Sequence, residues 1–350
     1  MRLLVLGAAL CSLLIGQAQH AIPGGRIFSF LDIGVGARHL AQASLPMLTA
    51  DGAVDRMVRH PAALAWTTPQ SLFVGATRYW VGSMYYHAAY THQFQQVGRV
   101  GFFVNYIDYG EFEGMDERGR PTRLFRGGAS EVAVVRAYRW RRWSVGGALK
   151  WVRTDLLFFK ANAIMGDFSL GYLSSDSLLT FSLIYQNLGT VLRGGYALPG
   201  NLGWSVSYKF RHNPLRLYVG MHHLNVWRFS TYQERLPIQP VEDSIPSLPW
   251  REPLEIMFRH MAGGTEVILG QGLILRMGYY VQRRRETSLF GIRRLVGFSF
   301  GGSVLIGSLW VDYALVPAQP GNAWHAFALR MNLRRLIQRW HKEERKVRWN

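Results

Sequence analysis

Over most of its length this chain alternates apolar and polar residues with a period of two, in short segments set off by Gly, Pro, Asn and Ser. Ser83–His92 shows the pattern well: Met84, Tyr86, Ala88 and Tyr90 point one way, Tyr85, His87, Ala89 and Thr91 the other. The alternation predicts about fourteen strands. The first five fall near Leu72–Tyr79, Ser83–His92, Val100–Tyr109, Ser130–Tyr138 and Ser144–Asp155. Four follow near Ala163–Leu173, Leu178–Asn187, Leu202–Phe210 and Leu215–Leu224. The last five are Thr265–Leu269, Leu273–Val281, Val296–Leu305, Leu309–Leu315 and Ala323–Leu333. Most approach the roughly nine to eleven residues that a tilted strand needs to cross a bilayer.

The connections alternate too. The second, fourth, sixth, eighth, tenth and twelfth are short: Gln93–Gly98, Arg139–Arg142, Ser174–Ser177, Arg211–Pro214, Gly270–Gly272 and Ile306–Ser308. The odd-numbered ones include Gly110–Ala129, Leu188–Gly200, Asn225–Gly264 and Gln282–Arg294. Short turns at one end and long loops at the other is the habit of outer-membrane barrels, and an even strand number puts both barrel ends in the periplasm. A soluble β-sandwich, the competing all-β architecture, has no reason to sort its loops this way. The expected fold is therefore an all-β, transmembrane antiparallel β-barrel of about fourteen strands over residues 70–333.

Gly24–Trp66 is the one sizeable part of the first half that does not read as strand. Gly34 and Gly36 break the run after Ile33, and Ala37–Ala43 is rich in small residues. Thr49 or Asp51 can cap a short helix over Ala53–Arg59. Pro61 forces His60 out of the helical region and can open a second turn through Leu64. Residues 19–69 are thus expected to form a hatch, with Gly34, Gly36 and Ala37 packed where bulk is not tolerated. A plain periplasmic cap is the bland alternative.

This segment carries a family resemblance. Ala37-Arg38, then Asp51-Gly52-Ala53, then His60-Pro61-Ala62-Ala63-Leu64 resembles the N-terminal hatch of FadL-type outer-membrane barrels. Two residues depart from that pattern: His60 stands where Asn is usual, and Ala63 where Gly is usual. Three further stretches resemble the PorQ family of the type IX secretion system, within the same superfamily. They are Gly25-Arg26 through Phe30-Leu31, Asn105-Tyr106-Ile107-Asp108-Tyr109-Gly110-Glu111-Phe112, and Gln186-Asn187-Leu188-Gly189-Thr190. The resemblance runs over most of the mature chain. It implies a non-catalytic barrel that holds a PorZ-like surface protein in an attachment complex with PorU and PorV, where cargo is processed and joined to lipopolysaccharide. The other activity of the superfamily, transport of hydrophobic small molecules, would instead require an apolar, ligand-sized cavity leading to an opening in the wall.

Residues 1–18 read as a secretory signal peptide: Arg2, an apolar run Leu3–Ile15, and Gly16-Gln17-Ala18 as a small-x-small cleavage site. The run is too short for a stable membrane helix. Cys11, the only cysteine, lies inside it, so the mature chain is expected to lack disulfides and thiol chemistry. Aromatics at 13%, 37 glycines and only 18% charged residues suit a membrane barrel with aromatic girdles, and place the product in the outer membrane.

The formal net charge is +18. Arg118, Arg120, Arg123 and Arg126 sit in one predicted outer loop, and Arg283, Arg284, Arg285, Arg293 and Arg294 in another. Guanidinium groups match phosphate oxygens bidentately, so lipopolysaccharide phosphates and membrane lipids are the expected partners; the leader argues against nucleic acid. The tail, residues 334–350, is basic as well, and Leu333, Leu336, Ile337 and Trp340 recur at helical spacing. The longest loop, Asn225–Gly264, is rich in prolines and acids, with a short helix expected over Ile256–Met261. Aromatic and arginine side chains dominate most protein contacts, which makes Phe125, Arg126, Trp227, Tyr232 and Trp250 the candidate partner-binding residues.

Catalytic signals are weak. His222, His223 and Asn225 imitate the His-based sites of outer-membrane hydrolases, but strand neighbours face opposite sides, so one histidine at most is expected to point inward. There is no G-x-S-x-G, no H-E-x-x-H and no phosphate loop. Asp108 and Glu111, or Asp116 and Glu117, read as loop acids opposite arginines. No catalytic residue, metal or cofactor is expected.

Overall fold

In the computed structural model the described residues are 27–79, 82–116, 118, 120–156, 159–192, 197–226, 251–287, 295–319 and 322–334. The leader, the centre of the longest loop with Trp227, Tyr232 and Trp250, and the tail beyond Arg334 lie outside them. So do Arg293 and Arg294.

Fourteen strands form one antiparallel ring. They begin with β1 (Ser71–Arg78), β2 (Met84–Phe94), β3 (Gly98–Met115), β4 (Pro121–Trp140) and β5 (Trp143–Leu156). Next come β6 (Phe159–Leu173), β7 (Leu179–Val191), β8 (Asn201–Lys209) and β9 (Leu215–Met221). The ring is completed by β10 (Met261–Leu269), β11 (Leu273–Tyr280), β12 (Phe298–Ile306), β13 (Leu309–Gln319) and β14 (Asn322–Asn332). Each strand pairs with its sequence neighbours, and β1 pairs β14 from Ser71↔Asn332 to Arg78↔His325, so no edge is left open. In β2 the residues expected to share a face do so: Tyr85, His87, Ala89 and Thr91 are buried in the lumen.

The other face of the wall is apolar. Phe102, Val104, Val132, Val134, Leu149, Ile164, Phe168, Leu183, Leu217, Val219, Leu275 and Phe327 are all exposed. Phe94, Tyr138, Trp140, Trp143 and Tyr208 are exposed near the short-turn end. An apolar band edged by aromatics is what lipid selects on a closed sheet, because every backbone amide is already paired within the wall. No helix among the described residues is long and apolar enough to cross a membrane; this chain crosses with strands.

Residues 28–69 fill the lumen. They form 3-10 turns at Ser29–Asp32, Val54–Val58 and Pro61–Trp66 and one short helix, α1 (Gly36–Ala41). Phe30, Leu40, Met57 and Leu64 join Phe73, Phe103 and Val135 of the wall in one apolar core. His60 leaves the helical region at φ −139, ψ 83, as Pro61 demands. The capping expected of Thr49 or Asp51 is not found. Ala53 occupies the cap position of a single 3-10 turn with no side-chain cap, and Asp51 is turned toward Arg38, a stronger partner than an amide.

The loop ends also differ from expectation. Gly110–Ala129 is not a loop: β3 and β4 continue through it as a hairpin and turn at residues 116–120. Asp116 Oδ1 accepts from the amides of Arg118 and Arg120 at 2.9 and 2.8 Å, which fixes that turn. The helix expected at Ile256–Met261 lies earlier, as α2 (Arg251–Arg259), because Met261 already pairs with Met221 of β9. Part of the Gln282–Arg294 loop is α3 (Val281–Thr287).

Candidate functional site

Three features of the barrel stand out: a plug held by ion pairs, a cavity at the mouth and a hairpin that extends beyond the ring.

The plug is pinned by buried ion pairs. Arg38 on α1 donates to Asp55 through Nε and Nη2 at 2.8 and 2.6 Å and to Asp51 through Nη1 at 2.5 Å. Arg38 is 3% exposed. The network continues into the wall, since Arg330 of β14 lies 4.0 Å from Asp55 and grips Asp312 of β13 at 2.6 and 2.8 Å. Asp312 also accepts from Ser303 of β12, which accepts from Arg276 of β11. Arg276 and Arg216 then hold the two oxygens of Glu266 on β10 at 2.8 and 2.7 Å, and the plug's Gln42 donates to Glu266 at 2.6 Å. Six adjacent strands thus present polar groups to one another and to the plug. Register explains the arrangement: Arg216↔Glu266, Glu266↔Arg276 and Ser303↔Asp312 are direct cross-strand neighbours on the inward face.

A second arc lines the opposite wall. Lys150 of β5 lies 3.2 Å from Glu131 of β4 and 2.8 Å from Asp167 of β6, and donates to Asn187 of β7 at 2.5 Å. Asn105 of β3 joins Glu131 at 2.8 Å and His87 of β2 at 3.1 Å. Charges this deep persist only when paired, so both arcs specify how the lumen is filled more than they add stability.

The hatch residues named from sequence meet in this plug. A Cβ on Gly34 would lie 2.5 Å from Ser44 Oγ, and one on Gly36, whose φ is +76°, would lie 2.6 Å from Phe73 Cζ. Ala37 is fully buried. Pro61 and Ala62 rest directly on Gly146 of β5, where any side chain would collide with the plug backbone. Ala62 N–H donates to Ser169 Oγ of β6 at 2.7 Å. The sequence reading missed the wall charges Glu131, Lys150, Asp167, Glu266, Arg276, Asp312 and Arg330. The available signal was ionisable residues at the inward parity of apolar-faced strands.

Above the plug, at the loop end, lies a cavity of about 340 Å³. Its lining includes His39, Arg59, Gln186, Asn201, His222 and Arg283. Contrary to the parity argument, His222 and His223 are both buried beside it. β9 ends at Met221 and His223 takes a left-handed φ of +59°, so strand alternation no longer applies. Arg283, one of the arginines of a predicted outer loop, is also buried: its Nη2 donates to Ser44 Oγ at 3.0 Å and its guanidinium faces Tyr280 and Trp324. Its neighbour Arg284 is exposed.

The third feature is the hairpin. β2 stops pairing with β3 at Asp108, and β5 stops pairing with β4 at Gly127. Between Gly110↔Gly127 and Met115↔Pro121, β3 and β4 pair only with each other. A bulge between Asp108 and Gly110, with Gly110 at φ +84°, marks where the ribbon leaves the ring. Phe112, Met115, Leu124 and Arg126 are exposed there, with Phe125 half-buried opposite Phe112. Arg126 Nη2 pairs with Glu111 at 2.7 Å across the ribbon. Of the candidate partner residues, Phe125 and Arg126 therefore share this hairpin, while the other three lie outside the described residues.

No protein-family model and no curated protein matches the chain. Among solved structures it is similar to CdiB from Acinetobacter baumannii, at TM-score 0.37 and 11% identity over 75% of this chain. The match spans 59% of the CdiB chain. It is also similar to a triple-mutant porin of Rhodopseudomonas blastica, at TM-score 0.31 and 7% identity over 75% of this chain and 97% of that one. Likeness at this level adds nothing to the strand pairing. The closed ring and its apolar outer face by themselves define the class, a membrane-spanning β-barrel of the outer-membrane kind. Within that class this chain is a fourteen-stranded member whose lumen is filled by its own N-terminal segment.

Proposed function

We propose that this protein is a non-catalytic outer-membrane anchor of the type IX secretion system, holding a PorZ-like surface protein in an attachment complex with PorU- and PorV-type components. The observation that carries the reading is the pinned plug. A conduit needs a path, and here Gln42 and Asp55 tie the lumen filling to Glu266 of β10 and Arg330 of β14, both part of the polar network that runs along the wall. The cavity above the plug has a mixed lining, in which Arg59, Arg283, His39 and His222 interrupt the apolar surface of Leu31, Ile33, Tyr280 and Trp324, whereas a FadL-type carrier of hydrophobic molecules requires a predominantly apolar one. What remains for function is the outer surface, where the hairpin over residues 110–127 offers exposed aromatic, aliphatic and arginine side chains. Arg118, Arg120, Arg123 and Arg126 on the same ribbon suit the phosphates of lipopolysaccharide at the membrane rim.

Replacing residues 110–127 by a tight turn tests this, with Gln233–Pro249 shortened separately. Either change should leave a heat-resistant barrel in the membrane while releasing surface protein into the medium. Full retention of every co-purifying surface protein after both changes, together with altered uptake of a hydrophobic ligand, would establish the transporter instead.

A further inference from the structure

The cavity above the plug carries donors that no acceptor among the described residues satisfies. Arg59 is 4% exposed; its Nη2 donates to the carbonyl of Ile33 at 2.8 Å, and among the described residues no carboxylate lies within ion-pair distance of it. His39 accepts from the Val35 amide through Nδ1 at 3.2 Å, so its neutral ring carries the proton on Nε2. Burial first, then the charges of Arg59, Arg56, Arg283 and Arg38, hold His39 well below the ordinary histidine range, which keeps that neutral form. The Nε2–H is buried and meets no acceptor among the described residues. His222 likewise has a buried Nε2 with no partner among the described residues, on a ring tilted against Tyr280 with centroids 4.4 Å apart.

These groups converge on one space. Arg59 and His39 approach from the plug, Gln186 and Asn201 from the wall strands, His222 from the end of β9 and Arg283 from α3; among the described residues Asp32 is the only acid in the lining. The described residues hold no group of three or more carboxylates and imidazoles placed as metal ligands, and the positive lining repels a cation. Arg59 feels the charge of Glu131 but has no carboxylate in ion-pair contact among the described residues, and beside it stands an N–H with no acceptor among them; together they call for oxygen acceptors with negative charge. A volume of about 340 Å³ is near the lower end for ligand pockets and fits a small molecule.

We propose that this cavity is a binding site for a small soluble oxyanion, a carboxylate or phosphate, gripped by Arg59 and by the Nε2–H of His39. The site goes beyond the anchoring function and does not depend on it. The barrel wall separates it from lipid, so a headgroup still attached to its chains is not its ligand.

The test uses the full mature barrel in detergent, labelled with ¹⁵N-histidine. Inorganic phosphate and succinate are titrated separately at ionic strength fixed with sodium chloride, and the His39 Nε2–H signal is followed. At least one anion should shift that signal saturably. Arg59→Gln should weaken the effect about tenfold, the loss expected for one charge-assisted contact, while Arg59→Lys keeps most of it. Phosphatidylglycerol vesicles should leave the signal unmoved, and a shift with vesicles alone overturns the assignment of a soluble ligand. Shifts that stay linear with both anions, or saturation unchanged in Arg59→Gln, overturn the site. If Arg59→Gln does not fold, the wild-type titration decides: saturation supports the site, and a linear response refutes it.

Discussion

Replacing Arg38 by methionine is the sharpest perturbation of the pinned plug. The side chain keeps much of its length, but Asp55 loses two charge-assisted bonds of 2.8 and 2.6 Å and is left buried, with only Arg330 at 4.0 Å. Breaking one side of a buried pair costs about 3–5 kcal/mol, because the remaining charge stays desolvated and uncompensated. Even the lower figure multiplies the open, plug-out population on the order of 100-fold. Cysteine chemistry can read this directly, since Cys11 is the only cysteine in the sequence and lies in the predicted leader. In a Leu40→Cys background the reporter sits at a fully buried position of α1 and reacts with a thiol reagent only when the plug leaves. Arg38→Met should raise the labelling rate by about two orders of magnitude without unfolding the wall. Adding Asp55→Leu, which removes the orphaned carboxylate, should recover much of the loss. Equal labelling rates with and without Arg38→Met would refute the claim that this network holds the plug.

Other outcomes follow from the same geometry. Ala37→Trp, at a fully buried position, should overfill the core at about 1–3 kcal/mol and lower the temperature at which the barrel loses its heat resistance on gels. His60 is buried in the plug, and burial lowers it to about 4, below the ordinary histidine value of 6.5. The folded state therefore binds fewer protons than the unfolded one between those values. Its stabilising effect is complete above pH 6.5 and falls by about 3 kcal/mol as pH drops toward 4. His60→Asn, the residue usual in the hatches that this segment resembles, should reduce the pH dependence of urea unfolding curves in detergent by that share, while buried His39 and His222 keep theirs. Cysteine at Arg118 should react with an impermeant reagent on intact cells, while cysteine at Asn213 or Ser175, in the short turns, should not.

Much of this fold was legible in the sequence because a barrel wall imposes a strict two-residue period over many strands. Lipid selects apolar residues at one parity, and turn residues mark each end. The reading failed where that logic was interrupted. Residues 110–129 are rich in Gly, Arg and Glu and look like a loop, yet Phe112 and Phe125 pair across a ribbon that stands beyond the lipid band, where apolar alternation is not required. His222 and His223 escaped the parity rule because the strand ends one residue earlier. The plug was visible through its small residues and Pro61, but its fastening was not. Arg38, Glu266, Asp312 and Arg330 are separated by up to 292 residues, and they meet only because the N-terminal segment folds back into the lumen against the last strands of the ring.

An anchor that works through its outer surface must touch its partner there, and photocrosslinking on intact cells shows whether it does. Benzoylphenylalanine placed at Leu124, 62% exposed on the projecting hairpin, is compared with the same group at Val134, 48% exposed on the apolar wall. The account predicts a discrete surface-protein adduct from Leu124 and lipid adducts alone from Val134. Protein adducts absent from Leu124 and equally from Phe112, in cells that secrete normally, would contradict it.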